Sequence, residues 1–198
     1  MTRDARFRAA VALAIALAGA GGAQAVAASR GPDSRPRSFK DSVEEYVRLH
    51  RRVRASLPPL DVASEPQHIL KASHQLAAAI RDARAGARSG AVFNPVVAAN
   101  FRARITYALR DRERRERVLR VLTEVEDDED ERPPAGWAPA VNGTLDWFST
   151  GATPHSILEA LPDLPHELQY RFVGLDLVLL DVDANLIVDI LPAALSAE

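Results

Sequence analysis

The sequence predicts an α+β domain, mainly helical, that ends in a three-stranded antiparallel β meander packed on the helices. Apolar residues recur at helical spacing between residues 38 and 127, and the period falls to two in the last thirty residues. Three strands need a cover to be stable, and the helix stripes are the apolar faces on offer, so helices and meander belong to one domain.

The first helix is expected from Ser38, because Val43, Tyr46, Val47, His50, Val53 and Leu57 fall on one face and Pro58-Pro59 stops it. Ser64 is placed to cap the second, with Pro66 in its first turn. Its stripe is Ile69, Ser73, Leu76, Ala77, Ile80 and Ala83, its basic side Arg81, Arg84 and Arg88, and Ser89-Gly90 closes it. Asn94-Pro95 opens a third, with Val97, Phe101, Ile105, Ala108 and Leu109 facing inward. The pattern resumes at Val118, Leu119, Leu122 and Val125 after the charged run RDRERRER (Arg110 to Arg117), and the periodicity favours one helix of about thirty residues over two.

EDDEDE (Glu126 to Glu131) followed by Arg132-Pro133-Pro134-Ala135-Gly136 marks the end of the helical part and a linker over residues 128–152, with Trp137 and Trp147 leaning on the domain. Thr153-Pro154 caps a short helix from His155 to Leu161. Then Leu168, Tyr170 and Phe172 alternate with polar residues, a second run carries Leu175, Leu177 and Leu179, and a third carries Leu186, Val188 and Ile190. Gly174 and the stretch Asp181 to Ala184 supply the two turns.

The N-terminus reads as a cleavable signal peptide over residues 1–25. Arginines at 3, 6 and 8 precede AAVALAIALAGA, a run too short to span a membrane, and Ala23-Gln24-Ala25 offers a small-x-small cleavage site at Ala23 and Ala25. Residues 26–37 form a flexible leader. The expected destination is the periplasm or the medium of a bacterium, as a secreted chain with no transmembrane anchor in its mature part. Losing Arg3, Arg6, Arg8 and Asp4 moves the formal charge from -2 to -4, which gives no general drive toward nucleic acid. The absence of cysteine excludes disulfides, thiolate metal sites and a lipid-anchored lipoprotein.

No motif names a chemistry. Asp181-Val182-Asp183-Ala184-Asn185 begins like a calcium loop, but Leu186 replaces the required glycine and Pro192 the glutamate, so an Asx-rich turn is expected. His166-Glu167 begins like a zinc-protease motif, and Tyr170 stands where its second histidine belongs. The five histidines (50, 68, 74, 155 and 166) read as surface or half-buried groups. Asn142-Gly143-Thr144 reads as a turn. No catalytic residue, cofactor or metal ligand is assigned.

Two stretches carry a resemblance. LPDLPHELQYRFVGLDLVLLDVDANLIVDILPAAL (Leu161 to Leu195) and YVRLHRRVRASLPPL (Tyr46 to Leu60) resemble a group of uncharacterised exported bacterial proteins. The order Tyr-Arg, Gly, Asp-Leu-Val-Leu, Leu-Ile-Val-Asp is also similar to the meander of periplasmic nickel/cobalt-homeostasis proteins, whose histidine-rich character is missing here. The resemblance implies export and a hairpin end, with no mechanism attached.

The expected function is therefore a non-enzymatic periplasmic interaction or structural role. Its partner would be an envelope protein or an anionic envelope component, met by a candidate face of Arg102, Arg110, Arg114 and Arg117. The alternatives are a periplasmic hydrolase, with His155 or His166 meeting Asp163 or Glu167 in a pocket, and a metal-responsive periplasmic protein.

Overall fold

Ser38 begins the ordered helical chemistry: in an extended conformation, its Oγ accepts the Asp41 N–H at 3.1 Å, which caps α1 (Phe39–Ser56). A computed structural model of the protein describes residues 36–59, 65–124, 137–145 and 153–196, all within one compact unit, Arg35–Glu198. Val43, Tyr46, Val47 and His50 lie on the buried face of α1, and the helix stops at Leu57 ahead of Pro58-Pro59, as the spacing predicts.

α2 (Pro66–Ala83) differs from expectation at both ends. Its N-cap is Glu65, which makes no side-chain cap bond, and Ser64 lies outside the described residues. It ends at Ala83, well before Ser89-Gly90. Two arginines of the basic side turn to the protein while Arg88 stays exposed: Arg81 Nε donates to the Asn142 carbonyl at 2.8 Å, and Arg84 Nη2 donates to the Val188 carbonyl at 2.8 Å. Buried carbonyls need donors, and the long arginines reach them from the helix end.

Asn94 caps α3 (Pro95–Ala108) by accepting from Val96 and Val97 N–H, each at 3.2 Å. The favoured single helix is overturned. The chain breaks at Leu109–Asp111, and Asp111 starts α4 (Arg112–Glu124), its Oδ1 accepting the Arg114 N–H at 2.9 Å. A continuous helix would carry the charged stripe positions of Arg110 to Arg117 toward the core. The break spares that cost and still returns Val118 and Leu122 to burial. Val125 and the acidic run from Glu126 to Glu131 lie outside the described residues.

After α5 (His155–Leu158), shorter than expected, come β1 (Leu168–Val173), β2 (Asp176–Asp181) and β3 (Leu186–Leu191), antiparallel in the order β1-β2-β3. Leu168 pairs with Asp181 and Leu177 with Leu191, and a bulge lies between Leu179 and Leu180. Gly174, at φ 53°, makes the first turn in the left-handed region that glycine enters without strain. β1 alternates as predicted, whereas β3 is buried along its whole length.

The reason is a cover on each face. The helices bury one face, where Phe172, Leu177, Leu179 and Leu186 meet Ile80, Phe101 and Ile105. Phe101 centres an aromatic group, 4.8 Å from Phe39 and 5.2 Å from Phe93 between ring centroids. The other face, Val178, Leu180, Ile187 and Ile190, is covered by Leu145, Val141 and Trp137 from the stretch read as linker. Asn142, at φ 67°, turns that stretch so that its N–H donates to the Ile187 carbonyl at 2.9 Å, with the Ile187 N–H returned to Gly143 O at 2.8 Å. Trp147 lies outside the described residues. Each fully buried Leu, Ile or Phe here contributes about 1.5–3 kcal/mol. Among the described residues, no helix is long and apolar enough to cross a membrane.

Candidate functional site

Where α1 crosses the end of the meander, the fold buries a set of ionisable side chains. Tyr46 and His50 are one turn apart on α1, so both reach the same point, the carboxylate of Asp181 at the end of β2. Tyr46 donates its hydroxyl to Asp181 Oδ2 at 2.6 Å, and His50 Nδ1 meets the same oxygen at 2.6 Å. Asp181 Oδ1 accepts the Ala184 N–H at 3.0 Å, which makes the stretch from Asp181 the Asx turn that was expected. The other ring nitrogen of His50 lies 3.4 Å from Asp183 Oδ2.

His50 is 2 % exposed, so the reading of all five histidines as surface or half-buried fails at this position. An imidazole on a helix's apolar face is tolerated inside only when both nitrogens find partners, and the Asp-x-Asp turn provides them. Burial alone would lower its pKa. The hydrogen bond and charge of Asp181, with the charges of Asp183 and Glu167, outweigh that and raise it. Burial and the adjacent Asp181 also push the Tyr46 hydroxyl far above the usual phenol range, so it stays a donor.

Glu167 extends the network. Arg51 Nε donates to Glu167 Oε1 at 2.7 Å, and His166 Nδ1 stands 3.5 Å from Oε2, which has no hydrogen-bond partner among the described residues. Burial would raise the Glu167 pKa, but Arg51 overcomes it and holds it below the usual carboxylate range. His50, Arg51, His166, Glu167 and Asp183 line a hollow of about 350 Å³, completed by Arg54 and Ala55. His166 and Glu167 therefore do meet in a concavity. His155 instead pairs with Glu159 on its own turn at 3.2 Å, and Asp163 lines a different hollow beside Tyr170.

This lining brings no hydroxyl or thiol to His50. A general base needs an unencumbered lone pair within reach of a proton, whereas here both ring nitrogens face carboxylates that favour the charged ring. Among the described residues, no group of three or more His, Asp or Glu side chains is arranged to hold a metal ion.

The arginines read as a partner-binding face lie on α3, on α4 and at the corner between them. Arg102 donates to the Ala193 and Pro192 carbonyls at 3.2 and 2.7 Å, pinning the chain after β3. Arg110 lies over the Tyr107 ring at 4.3 Å, and Arg114 donates to the Ala108 carbonyl at 3.3 Å, so each contacts the end of α3 near the corner with α4. Arg117 pairs with Glu113 at 3.7 Å. All four have a contact within the molecule.

A second buried acid was legible only in hindsight. Asp189, in the middle of β3, accepts N–H groups from Gly90 at 2.9 Å, Val92 at 2.6 Å and Phe93 at 2.7 Å. It thereby fixes the α2–α3 loop on the sheet. A charged residue inside the apolar run Leu186 to Leu191 was the available signal, since such a residue must find donors. Tyr46, Asp181 and Arg84 were missed for want of that question. Comparison with protein families, curated proteins and solved structures finds no match for this chain.

Proposed function

We propose that this chain is an exported bacterial envelope protein that works by binding a partner and not by catalysis. One observation carries the non-enzymatic part: His50, the most enzyme-like group among the described residues, is held at both ring nitrogens by Asp181 and Asp183, and the described residues lining its hollow include no Ser, Thr or Cys. Such a group stabilises the junction of α1 with the meander. Export is supported by the basic and apolar N-terminus with its exit at Ala23 and Ala25, and by the resemblance of Leu161 to Leu195 to exported proteins.

Fractionation and N-terminal sequencing of the native protein test the address. A periplasmic or secreted chain starting at Val26 is expected, and a full-length cytosolic chain would overturn it. Crosslinking in intact cells with mass spectrometry tests the mode of action: a reproducible envelope partner is expected. Turnover of esters, peptides or glycans that disappears in His50→Ala would replace this reading with the hydrolase, which the meeting of His50, His166 and Glu167 in one hollow favours as the second reading.

A further inference from the structure

A different hollow, lined in part by Tyr46, holds polar groups without a hydrogen-bond partner among the described residues. Ser42 is 6 % exposed, on the buried face of α1. Its Oγ and the Nη1 of Arg84 are both buried, and neither has a hydrogen-bond partner among the described residues. Leaving a charged N–H and a hydroxyl inside without acceptors is more costly than an ordinary lost hydrogen bond. Both residues line one hollow of about 380 Å³, between α1 and residues 83–92.

The surroundings specify what would satisfy them. Arg84 is held in place by its Nη2 bond to the Val188 carbonyl at 2.8 Å and lies over the Tyr46 ring at 5.2 Å, so one arm of its fork is fixed and the other remains to donate. Arg37 and Arg52 also line the hollow. The one acid among its lining residues, Glu45, forms an ion pair with Arg37, so Arg52 and Arg84 are the lining cations it does not pair with. Burial lowers the pKa of Arg84 and outweighs the charges of Asp189 and Asp181, which act the other way. Leu49 and Val92 supply an apolar wall. Two cations, a hydroxyl donor and an apolar wall match a doubly charged oxyanion on a small organic body, and the volume lies at the small end of ligand sites.

We propose that this hollow binds a phosphate monoester, with its phosphate on Arg84, Ser42 and Arg52 and its organic part against Leu49 and Val92. The assignment deepens the binding-protein reading and rests on it only for the absence of turnover.

Titration of the purified full chain with propyl phosphate, followed by calorimetry and by phosphate release, tests it. Saturable binding is expected, weakened about tenfold in Arg84→Gln and Ser42→Ala, which each remove a charge-assisted donor. A loss of about threefold is expected in the exposed Arg52→Gln, and none in the distant Arg117→Gln. Should Arg84→Gln fail to fold, Ser42→Ala and Arg52→Gln decide. No saturation by roughly 10 mM, an order of magnitude beyond a weak Kd of about 1 mM, would overturn the site, as would equal affinity in all variants. Either failure leaves export and partner capture untouched. Release of inorganic phosphate would instead overturn the non-enzymatic reading and keep the site. Binding of propyl phosphate without binding of vesicles containing phosphatidate would assign a soluble ester, whereas binding of propyl phosphate together with such vesicles would assign a lipid headgroup.

Discussion

Two buried aspartates stand at different places in the meander, and the protein satisfies them by different chemistry. Asp189 is met by backbone N–H groups of Gly90, Val92 and Phe93, and its own Oδ1 also accepts from Ile190. Asp181 is met by Tyr46 and His50, side chains that themselves titrate. Both residues are fully buried. Amide donors keep their proton at any pH a protein survives, so Asp189 is a staple. The Asp181 cluster is a joint whose strength follows pH.

The largest effect that would sharpen this contrast is at Asp189. Asp189→Ala strands three amides of the α2–α3 loop at once, a loss on the order of 4 kcal/mol at roughly 1–3 each with some water entering. Urea unfolding would read it, and exchange protection of Val92 and Phe93 should fall first. Asp189→Asn keeps one acceptor oxygen and should lose about half as much. A loss below about 1 kcal/mol in Asp189→Ala would mean that the loop finds other acceptors and is no staple.

Asp181→Asn comes next, at about 2–3 kcal/mol, because it weakens two charge-assisted bonds but leaves an oxygen for Ala184 or Tyr46. Unlike the change at Asp189, it should also flatten the pH dependence of stability. Equal pH profiles for the two variants would break the comparison.

The pH prediction follows from the signs. The His50 pKa is raised in the fold above the ordinary histidine value of 6.5, so its contribution is complete below that value and is lost as pH rises through the folded pKa. The Glu167 pKa is lowered from 4.5, so its contribution is complete above that value and fades as pH falls through the folded pKa. Both are present together between pH 4.5 and 6.5. The wild type should weaken as pH rises from that window through the folded His50 pKa, and His50→Gln should lose most of this slope. The same slope in His50→Gln would show that another group carries it. Smallest of all, Arg51→Gln should cost about 1 kcal/mol, since the arginine is largely exposed although its carboxylate partner is not. Its effect should appear on the acid side of the window, where Glu167 takes up its proton.

How much of this was legible can be judged residue by residue. Val43, Tyr46, Val47 and His50 announced the buried face of α1 by spacing alone, and Asn94-Pro95 announced the start of α3. Both signals are local: a helix face and a cap are set within a few residues of chain. The alternation of Leu168, Tyr170 and Phe172 likewise named β1. The break at Leu109–Asp111 was not legible, because charged residues at stripe positions look the same whether a helix projects into water or ends. Nor was the docking of Arg81 and Arg84 onto backbone carbonyls, which depends on where the Asn142 turn and the Val188 carbonyl come to lie. The four arginines offered as a partner face were chosen by charge, and charge in a sequence does not reveal which carbonyls a guanidinium already holds.

By itself the sequence determined the class of fold, the order of its elements and the apolar faces they must hide, since periodicity, caps and prolines act over short range. The tertiary structure alone decided that Asp181 meets His50 across 131 positions of chain and that Asp189 meets Phe93 across 96. It also decided that Ser42 and Arg84 share one hollow. A polar side chain carries the need for a partner wherever it stands, but the identity of that partner is a fact of distance in space.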